Sequence, residues 1–415
     1  MLEIAAVFIS LTAALAYLNH RFVGFPPTIG VMAIALGFSL LLQGLSALGH
    51  SALEDSIETM MNRIDFNDLL MNGMLSLLLF AGALHINLSD LRERRWAIGS
   101  LATLGVLVST ALIGACAYGV FQLFGFQVSW IYCLLFGALI SPTDPIAVLG
   151  IMRSAGAPKP LEITIVGESL FNDGVAVVVF TVLLGILAAG EIPSAGEIGW
   201  LFIEEAIGGM LFGALLGWIV YRMLKSIDQY QVEVLLTLAL VIGGYTLATY
   251  LHLSGPIAMV VAGLIIGNQG RLHAMSDKTR ENVDNFWELI DEILNAVLFV
   301  LIGMELLLLP FTWLYLAIGA TLMLSILIIR LLTIGLPFSL IRLRGDVPRG
   351  TIRLLTWGGL RGGISVALAL ALPAGEERNL LLNITYIIVL FSILVQGLSI
   401  GRLVRNLCGS EPRTH

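Results

Sequence analysis

The residues best suited to chemistry lie in the stretch GESLFND at 167–173, which contains Glu168, Ser169, Asn172 and Asp173. The surrounding sequence is apolar, and a carboxylate at the centre of a membrane helix costs roughly 2.5–3.5 kcal/mol on insertion scales. On a helix, Glu168 and Asn172 share one face, while Ser169 and Asp173 share the adjacent face. Two neighbouring stripes of oxygen atoms on an apolar helix predict a cation site inside a membrane.

The composition indicates a polytopic helical membrane protein. Of the 415 residues, 58% are hydrophobic and 12% are charged, whereas a soluble protein carries about 25% charged residues. The apolar runs have the length of membrane helices and lack the alternation of barrel strands. The net charge of −7 comes without a basic motif, which argues against nucleic-acid binding. The three cysteines have no paired spacing, no enzyme motif is recognisable, and no cofactor is expected.

Thirteen apolar segments are the predicted membrane spans. They run over 2–18, 28–48, 68–86, 96–124, 129–152, 161–189, 198–221, 232–251, 255–268, 286–308, 312–341, 352–373 and 379–401. Eighteen of the 22 Lys and Arg residues lie in, or within two residues of, the odd-numbered connections or the C-terminal tail, and two lie in the N-terminus and the even-numbered connections. This asymmetry predicts a multi-pass protein of the plasma (bacterial inner) membrane, with the N-terminus outside and the C-terminus cytoplasmic.

Span five contains the sequence SPTDP at 141–145, in which Pro142 and Pro145 flank Asp144. Each proline removes a backbone donor and disfavours helix at the preceding residue. The helix is therefore predicted to open here, and open backbone in mid-membrane is tolerated only where it is buried or lines a cavity.

Span twelve contains a second predicted interruption, in which four glycines surround Arg361; they are Gly358, Gly359, Gly362 and Gly363. The two interrupted spans are seven apart, so spans 1–6 and 8–13 are predicted to be two inverted six-helix repeats linked by span seven at 198–221. Paired interruptions at matching positions indicate a transporter site.

Four ionisable groups are predicted to converge: Asp144, Glu168, Asp173 and Arg361. An arginine in mid-membrane needs a carboxylate partner, and we expect Glu168 to fill that role. Asp144 and Asp173 then remain for transported ions. Oxygen ligands of this kind suit hard monovalent cations.

The motifs SPTDP (141–145), GESLFND (167–173) and GLRGG (359–363), in this order and spacing, resemble those of NhaP-type monovalent cation:proton antiporters, relatives of the animal sodium/proton exchangers. The resemblance covers nearly the whole chain, including the count of thirteen spans. It implies an all-α antiporter fold, homodimers and, from the Asn-Asp pair, electroneutral one-for-one exchange.

The resemblance also implies roles for individual residues. Asp173 would carry either the cation or the proton, and Thr143, Asp144 and Ser169 would help to coordinate Na⁺. Two further roles follow from the same resemblance: a buried ion pair between Glu168 and Arg361, and support of the unwound region by Asn172. Many relatives carry an acidic residue in span three, where this chain has Ala81. That difference leaves ion preference and pH profile open.

The predicted mechanism is competition between a cation and a proton for Asp173, coupled to alternating access within one membrane domain, 1–415. Because the polar residues lie in segments 96–189 and 312–405, these segments are predicted to form a moving core. The apolar segments 1–86 and 232–308 are the predicted scaffold and, by the resemblance, the dimer surface. Oxygen ligands do not separate Na⁺ from Li⁺ or K⁺, so a K⁺/H⁺ or mixed-cation antiporter is the alternative, and a non-transporting cation or pH sensor is the alternative of another class.

Two further predictions concern charged residues near the spans. Arg330 in span eleven is expected to be structural, either extending to the interface or pairing with Glu305. Glu288, Asp291 and Glu292 open span ten, where they either suit the helix N-terminus or line a cytoplasmic funnel for cations.

Overall fold

The computed structural model describes residues 2–48, 66–145, 148–149, 152, 155–190, 194–271, 274–305, 307, 312–342 and 350–408. Within these ranges every regular element is helical, and the β structure is limited to one isolated bridge.

The first seven main helices are α1 Leu2–Leu18, α2 Pro27–Ala47, α3 Leu75–Leu84, α4 Val106–Leu123, α5 Trp130–Ile140, α6 Lys159–Ala189 and α7 Ala195–Leu224. The remaining ones are α8 Tyr230–Tyr250, α9 Gly255–Ile265, α10 Asp277–Glu305, α11 Trp313–Arg342, α12 Thr351–Trp357, α13 Gly363–Leu370, α14 Glu376–Phe391 and α15 Leu398–Cys408. Three short helices lead into α3 and α4: Phe66–Asp68, Leu88–Glu93 and Arg95–Ser100. Segments of π-helix join or extend several of the main helices; they are Asn19–Val23, Leu69–Met74, Leu101–Gly105, Ile266–Gly270 and Ser392–Gly397.

Membrane character is evident from helix length and composition. In the described part of the chain, eight helices are long and apolar enough to cross a membrane. The count of thirteen spans stays a prediction. Part of predicted span five, at 146–147 and 150–151, lies outside the described residues.

Helix α6, which carries the central motif, has clear start and stop signals. Pro160 lies in its first turn, where the missing backbone donor costs nothing. Gly190 ends the helix with φ of 70° and donates its N–H to the Ile186 carbonyl, a left-handed cap that glycine adopts without strain. The polar motif therefore lies well inside one continuous helix of 31 residues.

The helices pack in two groups. Helices α4, α5, α6 and α11–α14 form one group, the core bundle, and α1–α3 with α8–α10 form the other, the scaffold bundle. Helix α7 packs on α9, where Gly213 brings the two backbones together, since a methyl group there would overlap the Ala258 carbonyl. Contacts between the bundles run mainly along α6 and α13, which places the polar motif at the boundary.

Candidate cation-binding site

The site is built on a crossing of two interrupted helices. Helix α5 ends at Ile140, and the gap between α12 and α13 runs from 358 to 362. The Asp144 N–H donates to the Leu360 carbonyl at 2.8 Å, which forms an antiparallel bridge between the two extended segments. Both predicted interruptions are confirmed by this geometry. Pro142 and Pro145 belong to the first segment, as predicted.

The glycines of the second segment allow close approach. Gly358 is the C-cap residue of α12, and Gly363 is the first residue of α13. Between them, a methyl group at Gly359 would lie 2.7 Å from Arg330 Nε, and one at Gly362 would overlap the Asp144 carboxylate. Charged side chains therefore rest directly against this backbone.

Arg361 and Asp144 each lie at the end of the opposing half-helix. The Arg361 guanidinium donates from Nη1 to the Ser141 and Pro142 carbonyls, both at 2.9 Å, just past the C-terminus of α5. The Asp144 carboxylate lies against Gly362, just before the N-terminus of α13. A helix carries partial positive charge at its N-terminus and partial negative charge at its C-terminus. Each side chain thus neutralises the terminus of the helix it meets.

The π-helical segment after α14 supports the second interruption. Ser392 Oγ accepts the Arg361 backbone N–H at 2.9 Å and donates to Gln396 Oε1 at 2.8 Å. Gln396 Nε2 in turn donates to the Trp357 carbonyl at 3.1 Å. Side chains of this segment therefore satisfy backbone groups that the helix break leaves open.

Glu168 forms its ion pair with Arg330, not with Arg361. Arg330 Nη1 donates to Glu168 Oε1 at 2.6 Å, and both side chains are buried. The predicted partner was therefore wrong, as was the pairing of Arg330 with Glu305. The carbonyls freed at the end of α5 engage the Arg361 Nη1, while α11 brings Arg330 to Glu168. Arg361 remains an electrostatic neighbour of that pair.

Asn172 ties α6 to the first extended segment. Its Nδ2 donates to Thr143 Oγ1 at 2.9 Å, and its Oδ1 accepts the Thr143 N–H at 3.4 Å. Thr143 Oγ1 also lies 2.9 Å from Ser169 Oγ. All three side chains are buried. Two hydroxyl oxygens on neighbouring elements are thereby held together, as a coordinating pair requires.

Asp173 differs from the other charged groups of the crossing. Its side chain is 7% exposed, and within the described part of the chain its carboxylate has no hydrogen-bond or ion-pair partner. It lines a cavity of about 560 Å³ together with Thr143 and Asp144. A buried carboxylate without a fixed partner favours binding of a proton or a cation, because either one removes the cost of its charge.

A predominantly acidic part of the lining reaches solvent. It includes Asp90, Glu162, Glu288, Asp291 and Lys159, and the exposure of Lys159 and Glu288 marks it as the mouth of the cavity. The Lys159 ammonium lies 3.9 Å from the Asp90 carboxylate, and Glu288 and Asp291 add further negative charge to this part of the lining. Acidic walls of this kind concentrate cations. Glu288 and Asp291 thus line the cavity, in agreement with the funnel alternative, whereas Glu292 is not part of the lining.

Ala81 on α3 also lines this cavity and is buried. The position at which many relatives were expected to carry an acidic residue therefore belongs to the cavity lining. In this chain it contributes a methyl group instead of a charge.

Sequence reasoning missed several polar lining residues, among them Asn295 on α10 and Ser365 on α13, and misassigned Arg330. Asn295 stands four residues after Asp291, so the pair shares one helix face. That spacing was a usable signal. Ser365 follows the glycine-rich interruption in an apolar run and carries no comparable signal.

A family comparison agrees with this geometry. Residues 8–406 match the family described as "Sodium/hydrogen exchanger, transmembrane". The chain is 64% identical to the Na⁺/H⁺ antiporter NhaP of Pseudomonas aeruginosa, over 99% of this chain and 98% of that protein. It is 35% identical to the Na⁺/H⁺ antiporter NhaH of Halobacillus dabanensis, over 90% and 91% of the two chains.

The fold matches a solved structure. The sodium proton antiporter MjNhaP1 from Methanocaldococcus jannaschii, determined at pH 8, superimposes with a TM-score of 0.76 at 18% identity, covering 98% of each chain. This likeness confirms the predicted fold class.

Proposed function

Because the chain belongs to the sodium/hydrogen exchanger family, we propose that it exchanges Na⁺ for H⁺ across the plasma membrane by secondary active transport. The observation that carries this proposal is the buried Asp173 carboxylate, which has no partner among the described residues and lines an acidic cavity. The relatives named NhaP and NhaH are Na⁺/H⁺ antiporters, which supports sodium as the cation.

Competition at Asp173 accounts for obligatory exchange. An ionised, empty carboxylate is costly to move through an apolar environment, whereas a protonated or cation-loaded one is close to neutral. The site therefore changes its accessibility only when it carries one of the two ions. Thr143 and Ser169 supply hydroxyl oxygens for the cation, and Asn172 holds Thr143 in place.

The charge balance of the crossing supports a one-for-one ratio. The crossing contains two arginines, Arg330 and Arg361, and three carboxylates: Glu168, Asp144 and Asp173. With all five groups ionised, the cluster carries one net negative charge. One Na⁺ or one H⁺ makes it neutral, so both half-cycles move an uncharged assembly and exchange is electroneutral.

Alternating access follows from the two bundles. The core bundle, with predicted limits 96–189 and 312–405, moves against the scaffold bundle, with predicted limits 1–86 and 232–308. Contacts between the two bundles run mainly along α6 and α13, and the proposed site lies at this boundary, which supports the division. We propose that the mouth faces the cytoplasm, because it lies among connections that the positive-inside rule assigns to that side. We further propose that the scaffold bundle forms the surface of a homodimer in the lipid bilayer.

The test is proton movement in proteoliposomes that contain the purified protein. A pH gradient is imposed, and NaCl, LiCl or KCl is added outside, with and without a clamped membrane potential. We expect Na⁺ to dissipate the gradient equally well at any potential. Dissipation by K⁺ alone would establish the alternative cation, and dependence on potential would refute the one-for-one ratio. No response to any ion from folded protein would favour a sensor over a transporter.

A further inference from the structure

A groove of about 510 Å³ lies between α12 and α15 at the surface of the core bundle and shares no lining residue with the cation-binding cavity. Its lining includes the polar residues Arg353, Ser399, Arg402 and Asn406 and the apolar residues Leu331 and Trp357. Both arginines, Asn406 and Leu331 are exposed. The groove therefore opens to the surroundings of the bundle, at the end that the positive-inside rule assigns to the cytoplasm.

Helices α12 and α15 run antiparallel, and two contacts fix their register. Just before α12, a methyl group at Gly350 would lie 3.2 Å from Leu407 Cδ1. Seven residues farther along the chain, Trp357 Nε1 donates to Ser399 Oγ at 2.8 Å. Ser399 lies eight residues before Leu407, so a step forward along α12 corresponds to a step of nearly equal length back along α15.

This register brings the two arginines to one level of the groove. Arg353 lies four residues before Trp357, and Arg402 lies three residues after Ser399. At these spacings each arginine shares a helix face with the residue from which it is counted. Because the helices are antiparallel, both arginines are displaced toward the same end of the pair, by about 6 Å and about 4.5 Å along the axes. The two side chains therefore lie level with each other on either side of the groove.

Neither arginine has a partner within the part of the chain that the structure describes. No ion pair or hydrogen bond of the Arg353 or Arg402 guanidinium is found there. The sequence around them is also strongly basic, since 342–353 and 402–413 together contain seven arginines and two carboxylates. Like charges at one level repel each other, so the groove favours an anionic ligand that lies between the two guanidinium groups.

The groove continues into the membrane along an apolar surface. Leu331 shares one face of α11 with Ile328 and Leu324, and these side chains are 47%, 60% and 65% exposed. They belong to the candidate span Trp313–Gly335, so acyl chains surround them in a bilayer. A basic end joined to an apolar, lipid-facing surface matches the two parts of an anionic phospholipid, and basic pockets between helices on the cytoplasmic side suit such head groups.

We propose that this groove binds one anionic phospholipid, whose phosphate lies between Arg353 and Arg402 and whose acyl chain lies along Leu331. The guanidinium groups donate charge-assisted hydrogen bonds to the phosphate oxygens. Asn406 lies about one turn beyond Arg402 toward the end of the bundle, which places its amide beside the head group. Because α12 leads directly into the second helix interruption, a lipid that holds α12 against α15 stabilises the core bundle, whichever cation is exchanged.

Binding is tested by native mass spectrometry, which counts lipids on the intact protein. The purified, delipidated chain in a neutral detergent is titrated with phosphatidylglycerol. We expect one molecule to bind most tightly, its Kd to rise about fivefold in Arg353→Gln and in Arg402→Gln, and the site to disappear in the double variant. An unchanged Kd in both single variants would refute the site.

Two further probes each lack one part of the ligand. Phosphatidylcholine with the same acyl chains has a head group without net charge and should not replace phosphatidylglycerol. Glycerol 3-phosphate carries the phosphate without acyl chains and should not displace the lipid either. Displacement by phosphatidylcholine would mean that the arginines do not select the head group, and displacement by glycerol 3-phosphate at equal concentration would mean that the groove recognises a free phosphate ester; either result would overturn the proposal.

Arg222→Gln is the matched control, because Arg222 is exposed near the end of α7, on the same predicted side of the membrane, and outside the groove. Equal weakening in this variant would show a general attraction between anionic lipid and the basic side, and no specific site.

Thermal unfolding gives a second readout. Phosphatidylglycerol should raise the Tm of the wild type and of Arg222→Gln but not that of the double variant. Substitution of exposed side chains has little effect on stability, so the double variant should melt like the wild type in detergent alone. A lipid-dependent rise in Tm that persists in the double variant would contradict the proposal, and the single variants decide it if the double variant does not fold.

Discussion

The Asp144 N–H and the Leu360 carbonyl, 2.8 Å apart, join two helix interruptions that are more than two hundred residues apart in sequence. This one bridge positions the Asp144 carboxylate at the start of α13 and the Arg361 guanidinium at the end of α5. The charges of the crossing are therefore balanced by helix termini as well as by each other. Asp173, which has neither kind of partner within the described residues, remains available for exchange.

Asp173→Asn should abolish exchange in proteoliposomes while the protein stays folded. The asparagine keeps the size of the side chain but can neither release a proton nor neutralise a cation. The measurement is the rate of Na⁺-driven dissipation of a pH gradient, with size-exclusion elution as the check on folding. Exchange at the wild-type rate in this variant would exclude competition at Asp173.

Glu168→Gln should lower the free energy of unfolding by about 3–5 kcal/mol, because it leaves Arg330 buried without its counter-charge. Combining it with Arg330→Gln should recover part of that loss. The measurement is thermal unfolding in detergent, with the exposed Glu376→Gln as control. If Glu168→Gln melts like the control, the ion pair contributes no stability.

Gly362→Ala should disrupt the crossing, because the added methyl group overlaps the Asp144 carboxylate. Alanine can adopt the backbone conformation of Gly362, whose φ is −124°. The effect is therefore purely steric and should lower the free energy of unfolding by about 1–3 kcal/mol. We expect at least a tenfold loss of exchange rate. Gly185→Ala on α6 is the control, since a methyl group there meets no atom within 4 Å. Equal rates in the two variants would contradict the close approach.

Asp228 supplies a pH-dependent contact outside the membrane spans. Its Oδ1 accepts hydrogen bonds from Ser276 Oγ at 2.7 Å and Thr279 Oγ1 at 2.8 Å, joining the α7–α8 connection to the start of α10. These bonds lower the pKa of Asp228. A lowered pKa means that the contact stabilises the fold above the unfolded pKa of about 3.9 and is lost as pH falls through the folded value.

We therefore expect the protection factors for amide hydrogen exchange in the N-terminal turns of α10, taken relative to the intrinsic rate at each pH, to be higher at neutral pH than below about pH 4. Asp228→Ala should show the lower protection factors already at neutral pH. A pH response that is identical in Asp228→Ala and in the wild-type protein would assign the effect to another group.

Local chemistry was sufficient to predict which segments open. Two prolines around Asp144 and four glycines around Arg361 disfavour helix through their own backbone properties, and the structure opens at both places. Helical spacing alone likewise predicts the polar face of 167–173. In the structure, Asn172 and Ser169 on this face both contact Thr143.

Local sequence could not predict which arginine pairs with which carboxylate. Glu168 and Arg330 are 162 residues apart, and nothing in either neighbourhood distinguishes Arg330 from Arg361 as the partner. The absence of a hydrogen-bond partner for Asn295 Oδ1 and Ser365 Oγ among the described residues was equally hidden, because a missing partner is a property of the surroundings and not of the residue.

The sequence by itself thus determined the membrane setting, the helix interruptions and the chemical groups of the site, since these depend on side-chain type and short-range spacing. Only the tertiary structure decided which arginine neutralises Glu168, which carboxylate has no partner among the described residues and which polar residues line the cavity. The physical reason is that electrostatic and hydrogen-bond partners are selected by distance, and these distances are created when α6, α10, α11 and α13 pack together.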